Sequence, residues 1–186
     1  MGALRIEIPR YSYSDYKHWE GRWELIDGVA YAMAPMPLLR HQRVISNIDR
    51  QLNELLENCE KCFATLPVDW KIDENTIVQP DNLVICYEVD ENASYITKAP
   101  SLIFEILFPS TTLKDETTKF DLYEREGVKY YVIVNTEDKI AKVYELKNGR
   151  YIKKIDATRE KVWFEFECEI EFDFSKIWIK EADERK

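Results

Sequence analysis

Residues 101–110 read Ser-Leu-Ile-Phe-Glu-Ile-Leu-Phe-Pro-Ser, an apolar run with one acidic residue, Glu105, at its centre. Pro100 and Pro109 bound the run, and its continuous apolar character is typical of a strand that is covered on both faces. An ionised carboxylate is costly in such a strand unless a cation, a metal or several hydrogen bonds receive it. Glu105 is therefore the first candidate for a functional residue.

A second apolar run, residues 83–86, begins just after Asp81. Pro80 precedes it and suits the first residue of a strand, where a missing N–H group costs least. If the two runs pair, Asp81 and Glu105 lie on neighbouring strands about 4.8 Å apart, close enough for both carboxylates to reach one small cation. The spacing thus predicts a metal site built on two carboxylates.

Lys119 is the predicted cationic partner of Glu105. A helix is expected from Thr111 or Thr112 to about Glu126, because a threonine can cap its start and a glycine follows its end. Lys119 lies roughly 10 Å into this helix, and Glu105 lies roughly 7 to 10 Å before the end of its strand. A helix that folds back over its strand brings the two side chains level.

These residues resemble a nuclease signature. Pro-Asp at residues 80–81 and Glu-Ile-Leu at 105–107 resemble the motif of the PD-(D/E)XK nuclease superfamily, with Leu107 where that motif has its lysine. The chain is most similar to the Uma2 family of restriction-endonuclease-like proteins, in which the following helix supplies the lysine. Lys119 matches that lysine. The resemblance covers roughly residues 12–178.

The same resemblance assigns two further positions. Residues 23–28, Trp-Glu-Leu-Ile-Asp-Gly, match a hairpin of the family and make Glu24 a third acid at the edge of the metal site. His41 matches a histidine that opens the next helix. Without the resemblance, Glu24 would be interpreted as a solvent-facing strand residue, since it alternates with Trp23 and Leu25.

A long helix is predicted at residues 38–58, after a proline-containing break. His41 precedes Ile45 by one turn and is therefore expected to face inward near the helix start. Arg40 and Arg43 lie beside it, and the positive end of the helix dipole would favour a phosphate there. A hydrogen-bonded histidine at the margin of the core is the open alternative. The apolar stripe of this helix consists of Val44, Ile45, Ile48, Leu52, Leu55 and Leu56.

The resemblance implies an α/β fold, a restriction-endonuclease-like mixed β-sheet flanked by helices. The length of 186 residues indicates one domain over residues 1–186. It implies hydrolysis of nucleic-acid phosphodiester bonds with Mg²⁺, or Mn²⁺ in its place, and DNA as the expected partner. Asp81 and Glu105 would bind the metal and Lys119 would steady the attacking hydroxide or the scissile phosphate. Glu24 would support the metal. His41, with the arginines beside it, would contact phosphate, and a homodimer is compatible with these roles.

A binding or assembly module that keeps the fold without catalysis is the alternative, because a fold does not guarantee its chemistry. In that interpretation Glu105 and Lys119 form a buried ion pair with a structural role. The net charge of -9 also counts against broad, non-specific binding to nucleic acid, which depends on lysine and arginine contacts to phosphate.

Composition excludes several other classes. The 186 residues, of which 45% are apolar and 13% aromatic, are typical of one globular domain. No long uncharged apolar run is present and charges interrupt the first ten residues, so we expect a cytoplasmic protein without a membrane span. Only two histidines occur and Gly-x-Ser-x-Gly is absent, which gives a serine hydrolase no support.

The four cysteines do not form a recognisable framework. Cys59 and Cys62 make a single Cys-x-x-Cys pair, while Cys86 and Cys168 lie in apolar strand patterns and are interpreted as small core residues. A structural zinc would require two more ligands at a recognisable spacing, and none is visible. We therefore expect reduced thiols.

The remaining elements follow from periodicity and turn signals. They are a short helix at residues 12–20, strands at 63–72 and 130–134, a hairpin at 141–155 around Asn-Gly, and one strand or two short ones at 164–174.

Overall fold

The structure is a computed structural model that describes residues 8–33, 38–108 and 112–179. The predicted cap at Thr111 lies outside these residues. Within them the helices are α1 Tyr13–Tyr16, α2 Leu39–Leu56, α3 Thr112–Glu116 and α4 Thr118–Arg125, with a 3-10 turn at Phe174–Lys176. The strands are β1 Trp23–Ile26, β2 Val29–Ala32, β3 Phe63–Thr65, β4 Asp69–Asp73, β5 Thr76–Val78, β6 Asn82–Ile85, β7 Tyr95–Ile96, β8 Leu102–Ile106, β9 Tyr130–Asn135, β10 Ile140–Lys147, β11 Arg150–Ala157, β12 Lys161–Glu165 and β13 Glu169–Asp173.

The described strands form two larger sheets and a separate hairpin. The first sheet has the order β2-β1-β5-β4-β7, the second has the order β11-β10-β9-β8-β6-β3, and β12 pairs with β13. In the second sheet β8 and β9 run parallel while the other neighbours run antiparallel, so the sheet is mixed. The mixed α/β fold expected from the sequence is confirmed, in the predicted order of elements.

The central strand β8 is buried over its whole length, as its apolar sequence predicts. Leu102, Phe104 and Ile106 belong to a core shared with α2 and the β12–β13 hairpin. Ile103 belongs to a second core, which α4 and β1 help to form on the opposite face. Because side chains alternate along a strand, Glu105 points to the same side as Ile103, toward α4.

Both predicted hairpin turns are present. Asp27 and Gly28 have φ values of 48° and 78°, and Asn148 and Gly149 have φ values of 51° and 76°. Two successive residues with positive φ are characteristic of the type I′ turn, whose twist matches that of the flanking strands. The β1–β2 turn is important for the site because it fixes the position of Glu24.

Two predicted elements are divided. The helix expected from 112 to 126 breaks at Thr117, whose φ of -127° and ψ of -76° are not helical. Its hydroxyl donates to the Leu113 carbonyl over 2.5 Å, a local bond that competes with the regular helical pattern. The strand expected at 63–72 is β3 and β4, which belong to different sheets, because Pro67 between them has no N–H group for a sheet. Leu55 of the predicted stripe is exposed.

The prediction of reduced cysteines is wrong for this structure. Cys59 is bonded to Cys168, and Cys62 is bonded to Cys86. The first pair is separated by 109 residues, so only the folded chain brings its members together.

None of the helices in the described ranges has the length and apolar character needed to span a bilayer.

Candidate active site

One pocket gathers the predicted acidic residues and the predicted lysine. It lies between the β1–β2 hairpin, the β6–β8 pair and the start of α2, with α3 and α4 closing it. The charged side chains that line it are Glu24, Asp81, Glu105, Asp115, Lys114, Lys119, His41 and Arg22.

Asp81 and Glu105 meet through the pairing of β6 with β8. Asn82, the first residue of β6, is opposite Phe104, so the antiparallel register places Asp81 beside the end of β8. The Ile106 N–H donates to Asp81 Oδ2 over 2.8 Å and fixes that carboxylate. Both acids are buried. The structure thus brings the two predicted metal ligands to one place.

Lys119 lies at the centre of the acidic cluster. Its Nζ is 2.7 Å from Glu24 Oε1, 2.8 Å from Glu105 Oε1 and 3.6 Å from Asp115 Oδ1, and the side chain is 2% exposed. Burial alone would lower the pKa of the ammonium group, but the three carboxylates outweigh it and raise that pKa well above its usual value. Lys119 is therefore charged and held by several acids rather than by Glu105 alone.

Glu24 is fully buried, so its interpretation as a solvent-facing strand residue is wrong. Lys114 pairs with its Oε2 atom, and the Gln79 N–H donates to Oε1 over 3.0 Å. Burial opposes ionisation of this carboxyl, but Lys119 and Lys114 outweigh burial and lower its pKa. Both oxygens of Glu24 are occupied by these donors, which suits a group that orients the lysines.

The pKa values of Glu105 and Asp81 are raised, whereas that of Glu24 is lowered. Burial raises the pKa of Glu105 well above its usual value, and neighbouring carboxylates including Asp115 add to the effect despite Lys119. Burial also raises the pKa of Asp81, although His41 and a main-chain N–H act against it. The pocket contains four acids against Lys114, Lys119 and Arg22, and the raised pKa values of two of these acids reflect the shortage of positive charge beside them. Carboxylate oxygens in such excess are the ligands that a divalent cation such as Mg²⁺ prefers.

His41 faces inward at the start of α2, as its place on the stripe predicts. Its Nε2 is 2.8 Å from the Ile106 carbonyl oxygen and 3.6 Å from Asp81 Oδ2. A carbonyl only accepts, so the proton of the first contact belongs to Nε2. Arg40 and Arg43 are exposed and do not line the acidic pocket. Contacts of these three residues with phosphate remain predictions.

Sequence reasoning missed three members of the site: Lys114, Asp115 and Tyr123. The Tyr123 hydroxyl donates to Glu105 Oε1 over 2.8 Å. Asp115, Lys119 and Tyr123 are spaced four residues apart, which places polar groups on one helical face. That spacing was the available signal, and it persists although the helix breaks between Asp115 and Lys119.

With Glu105 ionised against the Lys119 ammonium group 2.8 Å away, Tyr123→Phe is expected to reduce the free energy of unfolding by about 1.5 to 3 kcal/mol, the usual worth of a hydrogen bond to a charged group. Tyr131→Phe is the matched control, because that buried hydroxyl donates over 2.9 Å to the neutral main-chain carbonyl of Asp115. Its expected loss is about 0.5 to 1.5 kcal/mol. Urea unfolding of both variants measures the difference. Equal losses would mean that Glu105 carries no charge.

The fold and its carboxylate–lysine pocket define a nuclease-like α/β protein. A scan against protein families matches residues 13–167 to Uma2, described as "Putative restriction endonuclease". The chain belongs to this family, and the matched span contains Glu24, Asp81, Glu105 and Lys119.

A solved structure has the same fold as this chain. A "putative nuclease belonging to DUF820" from Anabaena variabilis superimposes with a TM-score of 0.73 and 16% sequence identity. The match covers 90% of this chain and 97% of that one. A search of curated proteins found no match.

Proposed function

We propose that the protein is a Mg²⁺-dependent endonuclease that hydrolyses phosphodiester bonds in DNA, with Mn²⁺ able to replace Mg²⁺. The observation that carries the proposal is the meeting of Asp81, which directly precedes β6, with Glu105 on the paired strand β8, where Lys119 Nζ is 2.8 Å from Glu105. Membership of a family described as "Putative restriction endonuclease" supports the same conclusion.

Asp81 and Glu105 are the proposed metal ligands. Four buried carboxylates line the pocket together with Lys114, Lys119 and Arg22, so the acids outnumber these cations and a divalent cation would offset the excess negative charge. When bound, Mg²⁺ would supply Lewis-acid activation of the scissile phosphate and of a water molecule. Asp81 is already oriented by a main-chain N–H, which reduces the reorganisation that metal binding would need.

Lys119 supplies a fixed positive charge beside these ligands. Glu24 and Glu105 hold its ammonium group from two sides, so the charge is in place before a substrate arrives. A preorganised charge stabilises the negative charge that develops on phosphate or on attacking hydroxide. Glu24 acts through the lysines, as a positioning residue, and it is the proposed support of the metal site.

The N-terminal end of α2 is the proposed contact for the phosphate backbone. Arg40 and Arg43 are exposed there, and His41 lines the acidic pocket below them. Unpaired N–H groups and positive side chains at a helix start favour an anion. A cytoplasmic location and a homodimer complete the proposal, to be tested by cell fractionation and by light scattering.

Purified wild-type protein is expected to nick supercoiled plasmid with Mg²⁺ or Mn²⁺ and to lose this activity in chelator. Asp81→Ala should abolish nicking, because one of the two metal ligands is removed. Asp121→Ala is the matched control, since Asp121 is an exposed carboxylate on the same helix as Lys119. Gel electrophoresis of the plasmid forms measures the result, with single-stranded DNA and RNA assayed in parallel.

The outcomes separate the possibilities. Equal nicking by the wild type and by Asp81→Ala would assign the activity to a contaminant or to another site. Inactivity of the wild type on every DNA and RNA would favour the non-catalytic module. The observation on the side of that module is that Lys119 Nζ is paired with both Glu24 and Glu105, as the lysine of a purely structural cluster would be.

A further inference from the structure

A second group of metal-ligating side chains lies apart from the acidic pocket. The sulfur atoms of Cys59, Cys62 and Cys168 all lie within 4.8 Å of one another. Cys62 is also bonded to Cys86, so four sulfurs meet at one place. None of these cysteines lines the acidic pocket. The convergence is specific to the folded chain, since only Cys59 and Cys62 are close in sequence.

Strand pairing brings Cys62 and Cys86 together. β3 and β6 are antiparallel, with Phe63 opposite Ile85. Cys62 precedes Phe63 and Cys86 follows Ile85, so the same register continues to the two cysteines. Cys59 lies in the loop that leads from α2 into β3, which gives a Cys-x-x-Cys turn at the edge of the sheet.

The C-terminal hairpin supplies the fourth sulfur. Cys168 lies in the turn between β12 and β13, where the Phe166 N–H donates to its carbonyl over 3.0 Å. The side chain of Gln51 on α2 clamps this hairpin by accepting from the Asp173 N–H over 2.8 Å and donating to the Asp173 carbonyl over 3.1 Å. The packing of β13 on α2 thus carries Cys168 to the end of the helix.

We propose that the reduced forms of Cys59, Cys62, Cys86 and Cys168 bind one Zn²⁺ as four thiolates in a tetrahedral site. Four sulfur ligands and a Cys-x₂-Cys spacing are characteristic of structural zinc. A Zn–S distance of about 2.3 Å places the sulfurs of such a site about 3.8 Å apart. The sulfurs of Cys59, Cys62 and Cys168 lie within 4.8 Å of one another, so a shift of about 1 Å or less for each pair that is not disulfide-bonded gives this spacing.

The two disulfides are the oxidised state of the same four sulfurs. Reduction adds two electrons and two protons to each disulfide. A dithiol can supply both and becomes a disulfide itself; with a phosphine, the phosphine supplies the electrons and water supplies the protons, and the oxygen of the water is transferred to phosphorus. The four resulting thiols then lose four protons as they bind Zn²⁺. Oxidised and zinc-bound forms therefore exclude each other, and both join the end of α2, the sheet edge and the C-terminal hairpin.

The surroundings favour entry of a cation. A groove lined by Cys59, Cys62 and Cys86 opens to solvent, and its charged residues are mostly acidic. They are Glu60, Glu88, Glu91 and Glu167, with Lys61 as the basic member. The Glu167 carboxylate lies within 4.8 Å of the Cys62 and Cys86 sulfurs, so it is the competing ligand that an experiment must separate from Cys168.

The test uses the full chain purified with a phosphine reductant, which does not compete for zinc as thiols do. Elemental analysis is expected to find one zinc per chain after dialysis against buffer without metal. Substitution by Co²⁺ should give thiolate-to-cobalt charge-transfer absorption and the intense d–d bands of tetrahedral cobalt. A reduced chain that binds no zinc, or cobalt without thiolate absorption, would overturn the proposal.

Cys86→Ser and Cys168→Ser are each expected to lose their zinc during dialysis. Glu167→Gln is the matched control and should keep it. Retention by both serine variants, or loss from Glu167→Gln, would refute the four-thiolate site. If a serine variant does not fold, protection of the wild-type thiols from alkylation decides instead. All four should be blocked by zinc, and two or fewer blocked thiols would contradict the proposal.

Discussion

Lys119→Ala is expected to slow DNA cleavage by about a hundred- to a thousand-fold, the usual effect of removing one preorganised group from a charge-stabilising site. The ammonium group lies 2.8 Å from the proposed metal ligand Glu105 and is itself buried. No other described lysine takes its place, since Lys114 is directed to the far oxygen of Glu24. Single-turnover cleavage of a labelled duplex measures this effect.

The affinity of the same variant for Mn²⁺ is expected to stay equal or to rise. Lys119 contributes positive charge to the pocket, so its removal leaves Glu24, Glu105 and Asp115 with less compensation and a stronger attraction for a cation. Titration calorimetry with Mn²⁺ checks this, and circular dichroism verifies folding. Lys17→Ala, which removes an exposed lysine, is the control.

A parallel loss of metal binding and cleavage would contradict these roles. It would mean that Lys119 keeps the carboxylates in position rather than acting on the reacting groups. Wild-type cleavage by Lys119→Ala would remove the lysine from the mechanism altogether.

The sequence predicted those parts of the site that depend on local pattern. An apolar run interrupted by Glu105, and a second run that starts after Asp81, define two strands whatever the remainder of the chain does. The two strands are expected to pair because buried strands that follow each other in the sequence usually lie side by side in one sheet. Lys119 was placed correctly at the level of Glu105 although its helix is broken at Thr117, since its Nζ lies 2.8 Å from Glu105 Oε1.

Features that depend on distant contacts could not be predicted in the same way. Alternation shows that Glu24 lies on the opposite face from Leu25, but not that α3 and α4 cover that face. The meeting of Cys62 with Cys86 depends on the register of β3 against β6. The position of Cys168 beside Cys59 depends on the docking of the C-terminal hairpin, which is more than a hundred residues away from Cys59 in the sequence. Only the folded chain contains this information.

Glu105→Gln is expected to melt at or above the wild type in chelator. Neutralising one of four buried carboxylates removes the cost of burying its charge, which is the main cause of the raised pKa of Glu105, and also the repulsion from Asp115, Asp81 and Glu24. If Lys119 depended on Glu105 alone, the change would leave a buried charge unpaired at a cost of about 3 to 5 kcal/mol. Lys119 keeps Glu24 at 2.7 Å, and the glutamine oxygen can still accept from Tyr123, so this cost does not arise.

Added Mg²⁺ then separates a metal site from a structural cluster. At one hundred times its Kd, Mg²⁺ should stabilise the wild type by about 2.7 kcal/mol, roughly 5 to 10 °C in Tm, and should not stabilise Glu105→Gln. Asp121→Asn, which neutralises an exposed carboxylate, should respond like the wild type. All variants are compared in the same chelator and with the cysteines in the same oxidation state, so any loss of zinc from the proposed cysteine site is common to all of them. A wild type indifferent to Mg²⁺, together with a glutamine variant that melts well below it, would refute the assignment of Glu105 as a metal ligand.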